Sequence, residues 1–514
     1  MIDTTSFEPF TDNRAESFAE MTTQDQEAFH PIPNFCGSGL SPAVIQRHFD
    51  DAVRYVCEHI DEYVNNPGKD FSRNTVFNCE TLIRFLILMG NSSSICELNK
   101  FFSMDKCTLP PHNSTFCQAR QKLDPEALYA VFRHFTDSFS EWQTFKGYRL
   151  IGVDGSTINI PLNMKEPETL HQNKENQKHF SQCYFNGAYD LLNAVYVDTL
   201  VSTLKKTDER SALLEMAART SIPEKSVFAA DRGYGGWRVY VSLNELDRKF
   251  IIREKDKDSQ GTFAAMNLSE EEEFDIVKTI ILTNKQTKET LGNPDLYRLV
   301  MSNQNFPYLD KENHYYALKL RFVRKKVAPN KYICLITNLL DQEEITIEDL
   351  QYAYFLRWGH EGAYRIYKYT IGVLNFHSKK YANVQQEIYA KMVEFNVCQM
   401  IAGCVPMDDD KDNRRVLSKE EYLETCKLIN EVGCEPPDGK DESEEHDFEI
   451  GDTIRCKPNL AAAITNIKQF LSGHGSEERL ILRIKRYLIP IRPGRSFARN
   501  VKPQSATTLL YRAA

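Results

Sequence analysis

The sequence predicts an α/β protein: a mixed β-sheet with flanking helices, interrupted by a mostly β insertion and preceded by an all-α region. Three observations carry this. Two short apolar runs, Tyr148–Val153 and Ser226–Ala230, read as buried strands, and each runs straight into an aspartate. Around them, strand-like and helix-period segments alternate, the order that places helices on the faces of a sheet. From residue 254 to 331 the helical pattern lapses into short alternating runs separated by charged or Gly/Pro-bearing turns.

The totals bound the class. A chain of 514 residues has room for about two to four domains and a sizeable core. It holds no run of about 18 apolar residues, so a membrane span is not expected. The acidic N-terminal stretch lacks the basic-then-apolar pattern of a signal peptide, which predicts a cytoplasmic protein. The 13 cysteines form no Cys-x-x-Cys pair and no zinc-like spacing, and read as small buried thiols of a reducing compartment. A net charge of −9 argues at face value against a nucleic-acid partner. Its distribution removes the objection. Residues 1–30 carry about −6 and residues 407–452 about −11, leaving the remainder near +8.

In chain order, residues 1–40 read as an acidic, flexible leader. Residues 41–145 read as a helical DNA-binding domain. An amphipathic helix starts at Ser41, a second covers Cys79 to Met89, and two short pieces, Ser94–Phe102 and Asn113–Leu123, flank a Pro110-Pro111 turn. In the second short piece, capped by Asn113, Gln118, Arg120, Gln121 and Lys122 are expected at exposed positions, where Arg and Gln read base edges or phosphates. A plain helical bundle with a polar face explains those residues equally well. Asp124–Trp142 closes the region as another amphipathic helix.

Residues 146–253 supply the first part of a sheet. After the strand ending at Asp154 come two runs near Gln182–Tyr189 and Ala194–Val201, then a helix from Asp208 bearing Glu209. The strand ending at Asp231, a helix from Trp237 and a strand at Lys249–Arg253 complete it. Residues 254–331 are the β insertion, with runs Phe274–Leu282, Leu296–Ser302 and Tyr315–Val323. Residues 332–405 return to the core through the strand Lys331–Asn338 and two helices. An acidic linker (406–455) and a basic C-terminal tail (456–514) follow, the latter with Arg479, Arg483, Lys485, Arg486, Arg492, Arg495 and Arg499.

The first of the two late helices holds Tyr354, Arg357, Glu361 and Lys368. Thr346 is its predicted N-cap, with Asp349 three residues on, and Gly372 its stop. In one continuous helix, at about 100° per residue, the four side chains fall within about 60° of one another. Alone, such a row is most simply a solvated stripe of i,i+4 pairs. Likewise, Asp154 alone is explained as readily by an Asx-turn onto Ser156 or Thr157. Two aspartates at strand ends and a helix-borne glutamate can also converge on one point. Three carboxylates so placed suit two Mg²⁺ or Mn²⁺ ions about 4 Å apart, because hard cations prefer oxygen.

With these residues in view, the chain resembles DDE-type transposases of bacterial insertion sequences, in the insertion-sequence-four group. Tyr354, Arg357, Glu361 and Lys368 match that group's Tyr-(2)-Arg-(3)-Glu-(6)-Lys signature. Val153-Asp154-Gly155-Ser156, Asp231-Arg232-Gly233-Tyr234, Thr337-Asn338 and the run from Arg492 to Phe497 also look like it. The resemblance implies a ribonuclease-H-like core, with Asp154, Asp231 and Glu361 as catalytic metal ligands and Mg²⁺ or Mn²⁺, two ions, as cofactor. It implies Tyr354, Arg357 and Lys368 as grips on DNA phosphates. Cut-and-paste members cleave double-stranded DNA at terminal inverted repeats, form and reopen a hairpin, and join the 3′-OH to target DNA. They act as homodimers, in the prokaryotic cytoplasm and on the nucleoid when DNA-bound. Hairpin enzymes hold a flipped base on an aromatic residue; Phe306, Tyr308, Tyr315 and Tyr316 are the choices in the insertion. Two other readings share part of the pattern: a catalytically retired DNA-binding regulator, and a ribonuclease-H-like nuclease without strand transfer.

Overall fold

The structure, a computed structural model, describes residues 35, 39–103, 109–172, 178–203, 208–219, 221–223, 225–257, 261–266, 268–300, 306–328, 331–405 and 456–490. Most of the acidic leader, the whole acidic linker and Arg492, Arg495 and Arg499 lie outside these residues.

Among the described residues, five α-helices come first: α1 (Pro42–Glu58), α2 (Cys79–Leu88), α3 (Ser94–Ser103), α4 (Asn113–Arg120) and α5 (Glu126–Asp137). Ser41 Oγ accepts the Val44 N–H at the head of α1, and Asn78 Oδ1 accepts the Thr81 N–H at the head of α2. Both are the N-cap bonds that satisfy otherwise orphaned amides. Helix α4 begins one residue earlier than its capping pattern predicts: Asn113 is its first residue and His112 the N-cap, without a side-chain bond.

One mixed sheet follows, built from β1 (Arg149–Ile160), β2 (Leu170–His171), β3 (Phe180–Asp190), β4 (Val195–Ser202), β5 (Ser226–Ala230), β6 (Lys249–Arg253), β7 (Phe274–Thr283), β8 (Tyr297–Leu299), β9 (Tyr315–Ala328) and β10 (Lys331–Thr337). The strand order is β2-β3-β1-β5-β6-β10-β9-β7-β8, with β4 also pairing to β3. The β3/β4 hairpin and β1 are antiparallel, whereas β1, β5 and β6 run parallel. The parallel steps are bridged by helices α6 (Glu209–Ala218) and α7 (Trp237–Glu245), as parallel pairing requires. The β insertion is continuous with this sheet. Strand β9 pairs with β10 and β7 with β9, so these strands extend the sheet rather than fold apart.

After β10 the chain forms α8 (Ile347–Leu356), α9 (Trp358–Arg365) and the long α10 (Tyr381–Gly403). Helix α10 is buried along nearly its whole length. Its apolar residues Met392, Val393 and Val397 share one core with Phe49, Phe85 and Phe132 of the N-terminal helices and with Leu150 and Ile158 of β1. A second core on the other face of the sheet joins Ile151 and Val153 to Leu213, Met216, Val239 and Tyr240 of α6 and α7. Successive β1 residues therefore alternate between the two cores.

The stretch expected as a basic tail is folded where it is described. Strand β11 (Cys456–Pro458), α11 (Leu460–Leu471), α12 (Glu477–Lys485) and β12 (Leu488–Pro490) make a helical hairpin closed by a two-stranded ribbon. Ile467, Phe470, Leu480 and Ile484 enter the main core, and Lys468 Nζ meets the buried Glu394 carboxylate at 2.8 Å. Apolar spacing in α11 and α12 outweighs the basic composition. Among the described residues, no helix is long and apolar enough to cross a membrane.

Candidate active site

The parallel register of β1 and β5 runs from Arg149↔Ser226 to Gly152↔Ala229. Carried on at the same offset, it sets Asp154 beside Asp231. Strand β5 stops at Ala230, one residue short of that point, while β1 continues to Ile160 against β3. Asp154 is therefore not at a strand end, as the sequence suggested. It lies mid-strand, where only its β5-side neighbour has left the sheet. Asp231 makes the Asx-type turn: its Oδ1 accepts the Gly233 N–H at 2.8 Å. Asp154 Oδ1 accepts only the adjacent Gly155 N–H, at 3.0 Å, not that of Ser156 or Thr157.

The segment carrying the other expected residues begins as the sequence predicts, with a reciprocal capping box between Thr346 and Asp349. It is not one continuous α-helix. Helix α8 ends at Leu356, and at Arg357 the hydrogen bonds tighten to i→i−3: the Arg357 N–H donates to Tyr354 O and the His360 N–H to Arg357 O. Gly359 and Gly362, poor helix formers, follow the break. Past α9, residues Ile366–Ile371 form a π-helical turn that ends on Gly372 at φ +86°.

These irregularities undo the single polar row. Tyr354 is 3% and Arg357 5% exposed, so the pair is buried rather than presented as a solvated stripe. The Arg357 guanidinium sits over the Tyr354 ring at 5.5 Å and the Trp358 ring at 5.0 Å. Glu361 and Lys368 are half-buried. Lys368 Nζ donates to Ser156 Oγ, two residues from Asp154, and the Tyr364 hydroxyl donates to the Asp154 carbonyl at 2.6 Å. The helical segment thus closes on β1 at Asp154.

The electrostatics follow from this convergence. Burial raises the Asp154 carboxyl to about 7; Arg357 opposes the rise, and Asp231 and Glu361 add to it. Burial lowers Lys368, against the pull of Asp154. For Arg357 burial opposes the charge, but Tyr354, Asp154 and Glu361 outweigh it and raise the guanidinium above its usual value. Among the described residues, no three His, Cys, Asp or Glu side chains are grouped so as to hold a metal ion in this arrangement. In donor chemistry the site fits a hard divalent cation. Its acids offer only oxygen, two follow adjacent strands β1 and β5 at matching offset, and the crowding of negative charge around Asp154 is what a cation relieves.

Of the helix expected to read DNA, Gln118, Gln121 and Lys122 are exposed. Arg120 is not: it is 1% exposed, and its guanidinium donates to the Glu387 carboxylate at 3.0 Å, to Gln386 Oε1 and to the Asn383 carbonyl. A buried partner on α10, far away in sequence, claimed it. Of the four aromatics in the insertion, Phe306 is buried, Tyr308 donates to Ser242 Oγ, Tyr316 donates to Glu245, and Tyr315 is 52% exposed. The sequence reading gave no role to Tyr364, Tyr184 or Asn186. Gln182, Tyr184 and Asn186 form one polar face of a strand whose other face is Ser181, Cys183 and Phe185, and that alternation was the available signal.

Residues 145–395 match the transposase DDE domain family. That match supports a DDE-type transposase, and the DDE stretch takes in β1, β5 and α9, hence Asp154, Asp231 and Glu361. Among solved structures, the chain is similar to the piggyBac transposase in a cryo-EM synaptic complex with hairpin DNA. The TM-score is 0.38 and the identity 9%, over 89% of this chain and 87% of that one. A likeness that slight carries no argument about this chain. No curated protein sequence matches it.

Proposed function

We propose that this chain is a cut-and-paste transposase of the insertion-sequence-four group. It cleaves double-stranded DNA at terminal inverted repeats in a divalent-metal-dependent reaction, passes through a hairpin, and transfers the 3′-OH to target DNA. The observation that supports the reading is the β1/β5 register, which carried on at the same offset brings Asp154 and Asp231 to neighbouring positions within the DDE match, together with the Tyr364–Asp154 bond by which the helix bearing Glu361 meets β1. The β4-β3-β1 antiparallel half followed by parallel β5 and β6, with helices on both faces, supports a ribonuclease-H-like core.

In this reading Asp154, Asp231 and Glu361 hold two Mg²⁺ or Mn²⁺ ions. Bound there, the cations supply Lewis acidity to a phosphodiester and lower the pKa of the attacking water or hydroxyl. The chain's own residues do the rest. The Tyr364 hydroxyl fixes the Asp154 backbone, so the carboxylate keeps its place in the strand. The buried Arg357 guanidinium, held against two rings, offers a charge that does not reorganise when phosphate arrives. Lys368, anchored at Ser156, sets a second positive charge beside the acids. Tyr354 supports Arg357 through its ring and is as buried as Arg357 in this arrangement. Gln118, Gln121 and Lys122 are left as the DNA-reading candidates of α4, and a homodimer is the expected active assembly.

The test uses the full chain and short duplexes ending in the element's inverted repeats. Mg²⁺ or Mn²⁺ should support cleavage and joining to a target duplex. Asp154→Ala, Asp231→Ala and Glu361→Gln should each lower cleavage at least about a hundredfold while repeat binding persists, since even outer partners of a metal cost up to that much. Undiminished cleavage by any of the three would remove that residue from the site. Cleavage without joining would favour a nuclease, and binding without cleavage a regulator.

A further inference from the structure

A fourth carboxylate reaches the same place from the opposite face of the sheet. Glu209 opens α6, and the Tyr184 hydroxyl of β3 donates to its Oε1. A Cβ at Gly155, the residue after Asp154, would stand 3.0 Å from that oxygen, 2.9 Å from the Tyr184 hydroxyl and 2.9 Å from Asn186 Oδ1. The other carboxylate oxygen turns toward the Asp231 side: a Cβ at Gly233 would lie 3.8 Å from Glu209 Oε2 and 3.0 Å from Asp231 Oδ1. The two oxygens of Glu209 thus span from the Asp154-Gly155 step to the Asp231 turn. The next residue fastens this placement, because Arg210 Nε donates to the Gly233 carbonyl at 3.0 Å.

A separate observation points to a ligand. Asn186 is fully buried, and among the described residues neither its amide nitrogen nor its amide oxygen has a hydrogen-bond partner. Its oxygen is aimed at the Gly155 point. The Tyr234 hydroxyl, 1% exposed and close enough to Asp154, Asp231 and Glu209 for all three to act on it, is also without a partner. A buried amide left unpaired is costly, so such groups persist where something else meets them.

We propose that Glu209, oriented by Tyr184 and flanked by Asn186, is a fourth oxygen donor for the divalent cation on the Asp231 side of the site. The inference rests on the metal-dependent reading above. It also accounts for Gly155: any side chain there would fill the space through which Glu209, Tyr184 and Asn186 approach.

The experiment is a calorimetric Mn²⁺ titration of the full chain without DNA, which does not depend on turnover, paired with the Mn²⁺ dependence of repeat cleavage. Glu209→Gln should weaken Mn²⁺ binding at least tenfold and raise the Mn²⁺ needed for half-maximal cleavage similarly, with repeat affinity and thermal midpoint kept. Tyr184→Phe, which removes one hydroxyl, should shift both in the same direction by less. If Asp231→Ala abolishes Mn²⁺ binding while Glu209→Gln and Tyr184→Phe bind as the parent does, the inference is overturned and the metal reading stands. If the parent chain binds no Mn²⁺ at all, both fall together. Should Glu209→Gln fail to fold, Tyr184→Phe decides: a shift supports the inference and its absence overturns it.

Discussion

The Arg120 guanidinium donates to the Glu387 carboxylate at 3.0 Å across 267 positions of sequence, and both side chains are almost wholly buried. This pair ties α4 to α10, with Gln386 Nε2 reinforcing it through the Arg120 and Leu123 carbonyls. Arg120→Met should therefore destabilise the fold by about 3–5 kcal/mol, the cost of stranding one buried charge. Chemical denaturation measures it. A second change, Glu387→Leu, should restore much of the loss. If Arg120→Met left stability intact and instead weakened repeat binding, the residue would be a DNA contact after all.

Glu387 also sets an acid limit. Burial works to raise its carboxyl, but Arg120 and the His377 hydrogen bonds outweigh it and hold the group below its ordinary value of 4.5. With a folded value below the unfolded one, the unfolded chain binds the proton more readily. The contribution is thus fully present above about pH 4.5 and is lost as pH falls through the lower folded value. Urea midpoints between pH 6 and 3 should drop more steeply in the parent chain than in Glu387→Gln. Parallel curves would show that the pair carries no proton linkage.

Lys368 is tied to Ser156 rather than to an acid. Lys368→Met should keep the thermal midpoint and Mn²⁺ affinity within error and lower repeat binding or joining at least about tenfold. One charge-assisted contact to phosphate is worth about 1.5–3 kcal/mol, and tenfold is about 1.4. Filter-binding and strand-transfer assays separate the two steps. A loss of Mn²⁺ affinity instead would make Lys368 part of the metal scaffold.

Gly372 ends the π-turn at φ +86°, and a Cβ there would fall 2.3 Å from the Asn91 side chain. Gly372→Ala should cost about 1–2 kcal/mol in backbone strain, with the Asn91 clash on top. Asn91→Ala should relieve only the clash. A neutral Gly372→Ala would mean that the turn can unwind without penalty.

Much of the fold was legible because it is local. Thr346 caps its helix where its spacing from Asp349 says it should, and Asp154 and Asp231 follow apolar runs that do become β1 and β5. Non-local choices were hidden. An eight-residue helix does not reveal that its arginine will be claimed by an acid on α10. Assuming a regular period across 347–371 missed the tightening at Arg357 and the π-turn, both of which re-aim side chains without changing composition. Glu209 was read as an ordinary helix residue because its partners lie on another strand, opposite a glycine.

That glycine has a further consequence. Elsewhere β1 alternates its side chains between two apolar cores, and the sheet separates them like a wall. At Gly155 the wall has an opening. Through it Glu209 of α6 approaches the step after Asp154, and any side chain at residue 155 would close the gap.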